Sequence, residues 1–296
     1  MTKDFFKENN IEFQENASLK KYNTYRVESI AKFIVFPKTE EELIKILKHI
    51  KDNNTKYLVL GNGSNIIFAS EKFDGIIIKL DNFNELSFED NIVTVGAGYP
   101  LIRFSLNTIE NGLSGLEFAS GIPGYVGASV AMNAGAYNSD LSKVLVKVKV
   151  LTPDLKIKEI ETKDLEFSYR DSFLKRNKEY IVLSATFKLT KGNVDNMKQM
   201  VQEKKEKRIS TQPLEYPNAG SVFRNPEGMY AGELVEKLNL KGYNINGAEV
   251  SSKHANFIIN KDNAKGEDIV ALIEKIKKEV KDNYNVDLVL EQIIIK

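Results

Sequence analysis

The sequence predicts an α+β protein, and three observations carry that prediction. Short apolar runs separated by turn residues read as strands and dominate up to about residue 190. Charged and amphipathic helical segments gain after that point. No internal sequence repeat is present. Strands first and helices later favour segregated rather than alternating elements, with a domain boundary expected near residues 190–200. A chain of 296 residues is long enough for roughly two or three domains and a substantial core.

Ala31–Phe36 is the first clear strand, closed by Pro37. Thr39 then stands as the cap of a helix over 40–51, with acidic residues in its first turn and Leu43, Ile46, Leu47 and Ile50 on one face. Tyr57–Leu60 is a short strand running into Gly61-Asn62-Gly63-Ser64-Asn65, and strands follow at 76–80, 85–88 and 92–95. Pro100 sits at a helix start, and that helix is expected to reach about Glu110. Residues 144–151 alternate, with Val144, Val146, Val148 and Val150 predicted on one face, and strands continue at 156–161 and 180–189. Val194–Ile209 is a charged helix whose EKKEKR run is a solvated face. Residues 210–228 carry three prolines and are irregular. Residues 231–238 form a short helix, 257–260 a strand, 266–284 a long amphipathic helix, and 286–295 a closing strand.

Composition excludes several functions. There are 42 Lys+Arg against 41 Asp+Glu, a balance that favours neither nucleic acid nor an anionic membrane surface as partner. Cysteine is absent, which removes disulfides, thiolate nucleophiles and cysteine-ligated clusters together, and with only His49 and His254 no metal site is expected. The polar N-terminus MTKDFFKENN has no signal-peptide core, and no run of about 18 apolar residues exists. The expectation is a soluble, cytoplasmic protein.

Gly112–Tyr137 departs most from the rest of the chain. It holds six of the 18 glycines and a single charged residue, Glu117, whereas charged residues make up 28% of the whole. Glycines 121, 124 and 127, with Pro123 among them, argue against a regular helix or strand and for a turn whose amides lie bare to a ligand. Small residues follow through Ala136, so a flat or bulky group could approach the main chain. A buried turn between closely packed elements explains the same pattern. The Gly61–Asn65 loop is a second candidate: glycines let successive N–H groups converge on an anion, and Ser64 adds a hydroxyl. It is neither a Walker loop nor a Rossmann fingerprint, and a plain hairpin turn accounts for it nearly as well. Two such loops together would suit the pyrophosphate of a dinucleotide.

Four polar positions stand in unusual settings. Arg170, in Tyr169-Arg170-Asp171-Ser172, could clamp a carboxylate, though arginines more often pair with a nearby acid such as Asp171. Ser221 lies in a Gly/Pro-framed turn, where serine is usually a turn or cap residue, and no Ser-His-Asp order surrounds it. Glu291 sits in an apolar run and must face solvent, a partner or a site. His254 reads as a hydrogen-bonded structural histidine.

Taken in order, LKKYNTYRV (19–27), LGNGSNI (60–66), GLEFASGIPGYVGASVAMNAGAY (115–137), YRDS (169–172), NAGSVFRNP (218–226), GAEVSSKHANFIIN (247–260) and the glutamate before the terminal IIIK resemble the UDP-N-acetylenolpyruvoylglucosamine reductase family, flavoenzymes of bacterial peptidoglycan precursor synthesis. The segments span almost the whole chain. The resemblance implies the FAD-binding fold of the vanillyl-alcohol-oxidase (PCMH) type, two α+β subdomains at 1–55 and 56–195, then an α+β substrate domain at 196–285 and a terminal strand at 286–296 carrying Glu291. Its short length is similar to the family's type II members.

The resemblance places FAD on Gly61, Asn62, Gly63, Ser64 and Asn65, and on Gly121, Ile122, Pro123, Gly124, Gly127, Ala128, Asn133, Ala134 and Gly135. It makes Ser221 the proton donor and Arg170 with Glu291 the pair that activates the substrate. Tyr169, Arg224 and Asn225 fall on substrate-contacting positions, and Arg224 stands where the family often has lysine. Tyr216 and Lys253 are candidates for the UDP moiety. Val27-Glu28-Ser29, Tyr125 and Ala128-Ser129 depart from the family pattern at scaffold and FAD-contact positions. The reaction implied is NADPH-driven, FAD-dependent reduction of the UDP-sugar enolpyruvyl ether to UDP-N-acetylmuramate. A flavin oxidase of the same fold acting on an alcohol, and a nucleotide-binding module without catalysis, are the alternatives.

Overall fold

Thr39 caps its helix as its position in the sequence requires. In the computed structural model, which describes residues 2–296, the Thr39 hydroxyl accepts from the Glu42 amide at 3.2 Å and the helix runs Glu40–Asp52. Its predicted apolar face, Leu43, Ile46, Leu47 and Ile50, is buried. A helix at Thr2–Glu8, too polar to announce itself by period, buries Phe6 against Phe33.

The chain divides into two compact units. The first takes in residues up to Glu15, Phe33–Gly61 and Gly75–Glu206. Its main element is a five-stranded antiparallel sheet in the order Ile157–Glu161, Leu145–Leu151, Ile181–Lys188, Ile92–Gly96, Leu86–Glu89. The helix Leu101–Glu110 lies against it, with the Phe104 ring 5.1 Å from that of Phe187. Tyr57–Val59 pairs in parallel with Ile76–Ile78 and joins the same apolar core.

The expected alternation over 144–151 is corrected here. Val148 and Val150 are buried, but Val146 is exposed, because a register shift between Leu145 and Lys147 turns the strand by one residue. The glycine-rich stretch also holds more regular structure than expected: a 3₁₀ turn at Glu117–Gly121 and a short helix at Val126–Ala131. Gly127 makes that helix possible. Its amide donates to the Ala97 carbonyl at 2.9 Å, and a Cβ at 127 would lie 2.8 Å from Ala97 Cβ. The following helix, Val194–Thr211, is solvated along most of its length, with Met197 its buried residue.

The second unit takes in Asn16–Lys32, Asn62–Asp74 and Lys207–Lys296. Asn244–Ile245, Ala248–Val250 and Ile258–Asn260 form an antiparallel sheet. The helix Gly266–Tyr284 buries Ile269, Leu272, Ile273, Ile276 and Val280. The closing strand is shorter than expected. Only Ile293–Ile295 is strand, paired in parallel with Ile66–Phe68, while residues 289–291 bond instead to 222–224. Glu291 therefore precedes the strand, at the point where the chain changes partners.

Gly266 starts its helix with no room for a side chain: a Cβ there would stand 1.7 Å from the Phe68 carbonyl oxygen. Gly266→Ala is expected to destabilise the protein by at least ~1–3 kcal/mol, the usual cost of overpacking. A urea midpoint equal to that of the unsubstituted protein would contradict this.

Candidate active site

In the first unit the site is built around the glycine-rich stretch. It is sewn to residues 97–101 by main-chain bonds: Val126 N to Tyr99 O, Gly127 N to Ala97 O and Leu101 N to Gly124 O, each at 2.9 Å. The amides of Ile122, Asn133 and Ala134 donate to Ala119, Val130 and Ser129. The expectation that this turn leaves its amides bare is thus corrected at Ile122, Gly127, Asn133 and Ala134, which spend theirs inside the fold. What the stretch offers is a low profile. Pro123 and Ala128 are exposed, and a Cβ at Gly61 would meet Ala128 Cβ at 3.1 Å. Gly61 and Ala128 thus stand side by side within the first unit.

The stretch also carries Arg170. Ser168 and Asp171 exchange main-chain bonds at 3.1 and 3.2 Å, so Tyr169 and Arg170 form the tip of a tight turn, and Arg170 takes φ +57°, a left-handed conformation that costs a non-glycine residue energy. Three side chains bind this turn to the small-residue segment. Arg170 Nη2 donates to the Gly135 carbonyl at 2.6 Å, Ser172 Oγ to the Ala131 carbonyl at 2.6 Å, and Asn133 Nδ2 to the Ser168 carbonyl at 3.0 Å. Asn133, only 2% exposed, accepts at its other end from the Ser142 amide at 3.1 Å. Lys175 Nζ donates to the Arg170 carbonyl at 2.7 Å. Arg176 pairs with the Asp171 carboxylate. Tyr169 is 55% exposed, with the Arg170 guanidinium 5.2 Å from its ring.

In the second unit Ser221 and Glu291 lie on neighbouring, hydrogen-bonded segments. Glu291 N donates to Val222 O at 2.8 Å and Arg224 N to Val289 O at 2.9 Å, with Phe223 bridged to Leu290. Asn256 braces the other side: its side chain accepts from Phe223 N at 3.0 Å and donates to Phe223 O at 2.8 Å. Gln292, 3% exposed, donates to the carbonyls of Ala219 and Gly220 at 3.1 and 3.2 Å and accepts from the buried Tyr25 hydroxyl at 3.0 Å. Asn65 Nδ2 donates to the Glu291 carbonyl at 3.1 Å. The Asn62–Asn65 loop, Ser221 and Glu291 thus belong to one bonded cluster. Gly63 is obligatory there: at φ +65° its Cβ would lie 2.2 Å from the Tyr22 carbonyl oxygen. Gly220 beside Ser221 has φ +77° and nothing within 4 Å of a Cβ position, so the serine's turn opens onto free space.

Asn225 accepts from Ala231 N at 3.1 Å and so helps to start the helix Ala231–Lys237. His254 keeps its structural reading: Nδ1 accepts from Asn256 N at 3.2 Å, and burial lowers its pKa. Sequence reasoning missed Asn256 and Gln292, which brace main chain, Tyr25, whose hydroxyl donates to Gln292, and Lys79, a buried cation that donates to the Gly61 carbonyl. Lys79 had a visible signal, a lone charge in the apolar run Gly75–Leu80.

These residues fit a flavin dinucleotide. The Gly61–Asn65 loop is made of glycine, asparagine and serine with no carboxylate, a donor set for an anion. In the 121–136 stretch Gly121, Gly124, Gly127, Ala128, Ala134 and Gly135 are small, suited to the face of a flat ring, and the buried Lys79 ammonium donates to the Gly61 carbonyl.

Comparison with known proteins agrees. Residues 31–161 match the FAD binding domain family, and residues 212–295 match the UDP-N-acetylenolpyruvoylglucosamine reductase C-terminal domain. The chain is similar to UDP-N-acetylenolpyruvoylglucosamine reductase of Bacillus pumilus, with 41% identity over 95% of this chain and 93% of that protein. It is 44% identical to UDP-N-acetylenolpyruvoylglucosamine reductase 1 of Bacillus cereus over the same shares. The crystal structure of the Thermus caldophilus reductase superposes with a TM-score of 0.81 at 30% identity, covering 97% of this chain and 99% of that one. The fold is the FAD-binding fold joined to this α+β C-terminal domain. Identity of this degree along nearly the full length makes the chain a member of the UDP-N-acetylenolpyruvoylglucosamine reductase family.

Proposed function

We propose that the protein reduces the enolpyruvyl ether of UDP-N-acetylglucosamine to UDP-N-acetylmuramate, with FAD and NADPH, in peptidoglycan precursor synthesis. The observation that carries this reading is the stapling of the Arg170 turn to the small-residue stretch, which ties a fixed cation to a surface fit for a flat ring. Bound FAD, reduced by NADPH, would supply the hydride that adds to the β-carbon of the vinyl ether. A cytoplasmic setting follows from both cosubstrates, and among the described residues no helix is long and apolar enough to cross a membrane.

An enol ether is electron-rich and accepts hydride poorly, so the substrate carboxylate must draw charge away from the double bond. Arg170 serves that purpose with a permanent cation at a backbone position set by its neighbours; fixed donors aimed at developing charge are the largest catalytic lever. Glu291, in its protonated form, donates a hydrogen bond to that carboxylate, and Ser221 delivers a proton to the α-carbon. A serine is a weak acid, so its placement matters more than its acidity. The bracing of residues 222–224 by Asn256 and by 289–291 supports that role. Tyr169, Arg224 and Asn225 bind the substrate. Gly61–Asn65 hold the diphosphate, and Gly121, Ile122, Pro123, Gly124, Gly127, Ala128, Asn133, Ala134 and Gly135 take the flavin ring. In this division, residues 1–195 carry the cofactor, 196–285 the nucleotide sugar, and 286–296 the catalytic glutamate.

The purified protein is expected to be yellow and to oxidise NADPH only when the enolpyruvyl sugar is present; a colourless protein that fails to take up added FAD would refute the reading. Ser221→Ala should slow flavin reoxidation by the sugar by ~10²–10⁴, the range of a general acid. Flavin reduction by NADPH should persist in that variant. Equal loss in both half-reactions by stopped flow would remove Ser221 as proton donor. Asn133→Ala strips a partner from the Ser168 carbonyl and the Ser142 amide. It should cost ~1–3 kcal/mol in urea unfolding, as an unsatisfied buried pair does. It should also lower kcat. Unchanged turnover would mean that the Arg170 turn holds itself.

A further inference from the structure

Lys79 follows the strand Lys72–Ile78 into the core of the first unit, where its side chain is only 2% exposed. Its Nζ donates to the Gly61 carbonyl at 2.6 Å. Asp81 Oδ1 lies 3.3 Å away, on a side chain that is 37% exposed. The ring centroid of Tyr125 lies 4.8 Å from the ammonium. Burial lowers the Lys79 pKa, and Asp81 opposes that shift. A buried ammonium carries a desolvation cost that one half-exposed carboxylate offsets only in part, and an apolar chain of similar volume often serves stability as well or better. Packing alone therefore does not account for a charge at this position.

What the ammonium touches gives it a purpose. Gly61 opens the loop assigned to the diphosphate, and Tyr125 heads the short helix whose Ala128 lies beside Gly61. The Gly61 carbonyl and the Asn62 N–H share one peptide group. A cation on the carbonyl polarises that group and strengthens the N–H as a donor to an anion.

We propose that Lys79 is a positioning residue for the dinucleotide: it clasps the Gly61 loop to the Tyr125 segment and lends the loop positive charge directed at the FAD diphosphate. The proposal rests on the assignment of FAD to these loops. It predicts that Lys79 acts on the phosphate-bearing part of the cofactor and not on the ring.

The test uses protein freed of flavin at high salt and titrated with FAD and, separately, with riboflavin, which has the ring but no phosphate. Lys79→Met should weaken FAD binding on the order of tenfold or more, about 1.4 kcal/mol per tenfold. The same change should leave riboflavin binding within about threefold and the apoprotein Tm undiminished. Lys79→Arg, which keeps the charge, should recover much of the FAD affinity. Asp81→Asn keeps the cation and removes its counter-charge, so FAD binding at low salt should hold or tighten. Equal weakening of FAD and riboflavin, or unchanged FAD affinity in Lys79→Met, overturns the proposal. Should Lys79→Met fail to fold, Asp81→Asn decides: weaker FAD binding would make the pair a structural bridge and overturn the proposal. If the unsubstituted protein binds neither flavin, the assignment of the loops falls as well, an outcome distinct from normal binding that is indifferent to residue 79.

Discussion

A neutral amide side chain gripping a distant peptide group is the interaction on which the Arg170 turn of the first unit and the Ser221 segment of the second each depend. Asn133 does this for the Arg170 turn, Asn256 for the segment after Ser221, and Gln292 for the carbonyls just before it. An amide has donors and an acceptor on one planar head and no charge to strip of water, so it can be buried fully and still satisfy main chain on two sides. Gln292 and Asn133 are buried in this way, and each joins segments far apart in the chain. Arg170, Ser221 and Glu291, at the ends of these braces, are half-buried.

This arrangement suits a reaction whose difficulty is electronic. Reducing an electron-rich double bond demands that charge be drawn toward a carboxylate and a proton be supplied at one carbon and not its neighbour. Neither task needs a strong acid or a metal-like Lewis centre from the protein. Both need donors that do not drift as charge builds, because preorganised groups need no rearrangement at the moment of reaction. Backbone bracing by buried amides is a direct way to obtain that stillness in a chain without cysteine.

The regular helices were legible because their signals are local. Thr39 with its acidic first turn, and the apolar stripe of Gly266–Tyr284, read the same in one dimension as in three. Family motifs made the candidate residues legible as a set. What escaped depended on partners far along the chain. Val146 turns outward through a register shift opposite Thr186 and Phe187. Glu291 leaves the strand because residues 289–291 and 293–295 bond to different neighbours. Glycines 121 to 127 promised bare amides, yet Gly127 serves to let a helix settle on Ala97.

The union of Asn65 with Glu291, and of Tyr25 with Gln292, has a bearing on how the molecule comes into being. These contacts join residues 226 and 267 positions apart. During synthesis the segments around Tyr25 and Ile66 emerge early and must do without these C-terminal partners while the ribosome adds everything up to residues 291–295, a wait of roughly ten seconds or more at usual elongation speeds. Ile66–Phe68 is apolar and has its parallel neighbour at Ile293–Ile295. The nascent chain thus carries a sticky edge whose proper mate does not yet exist, and this is the stage at which shielding by chaperones matters most for its yield.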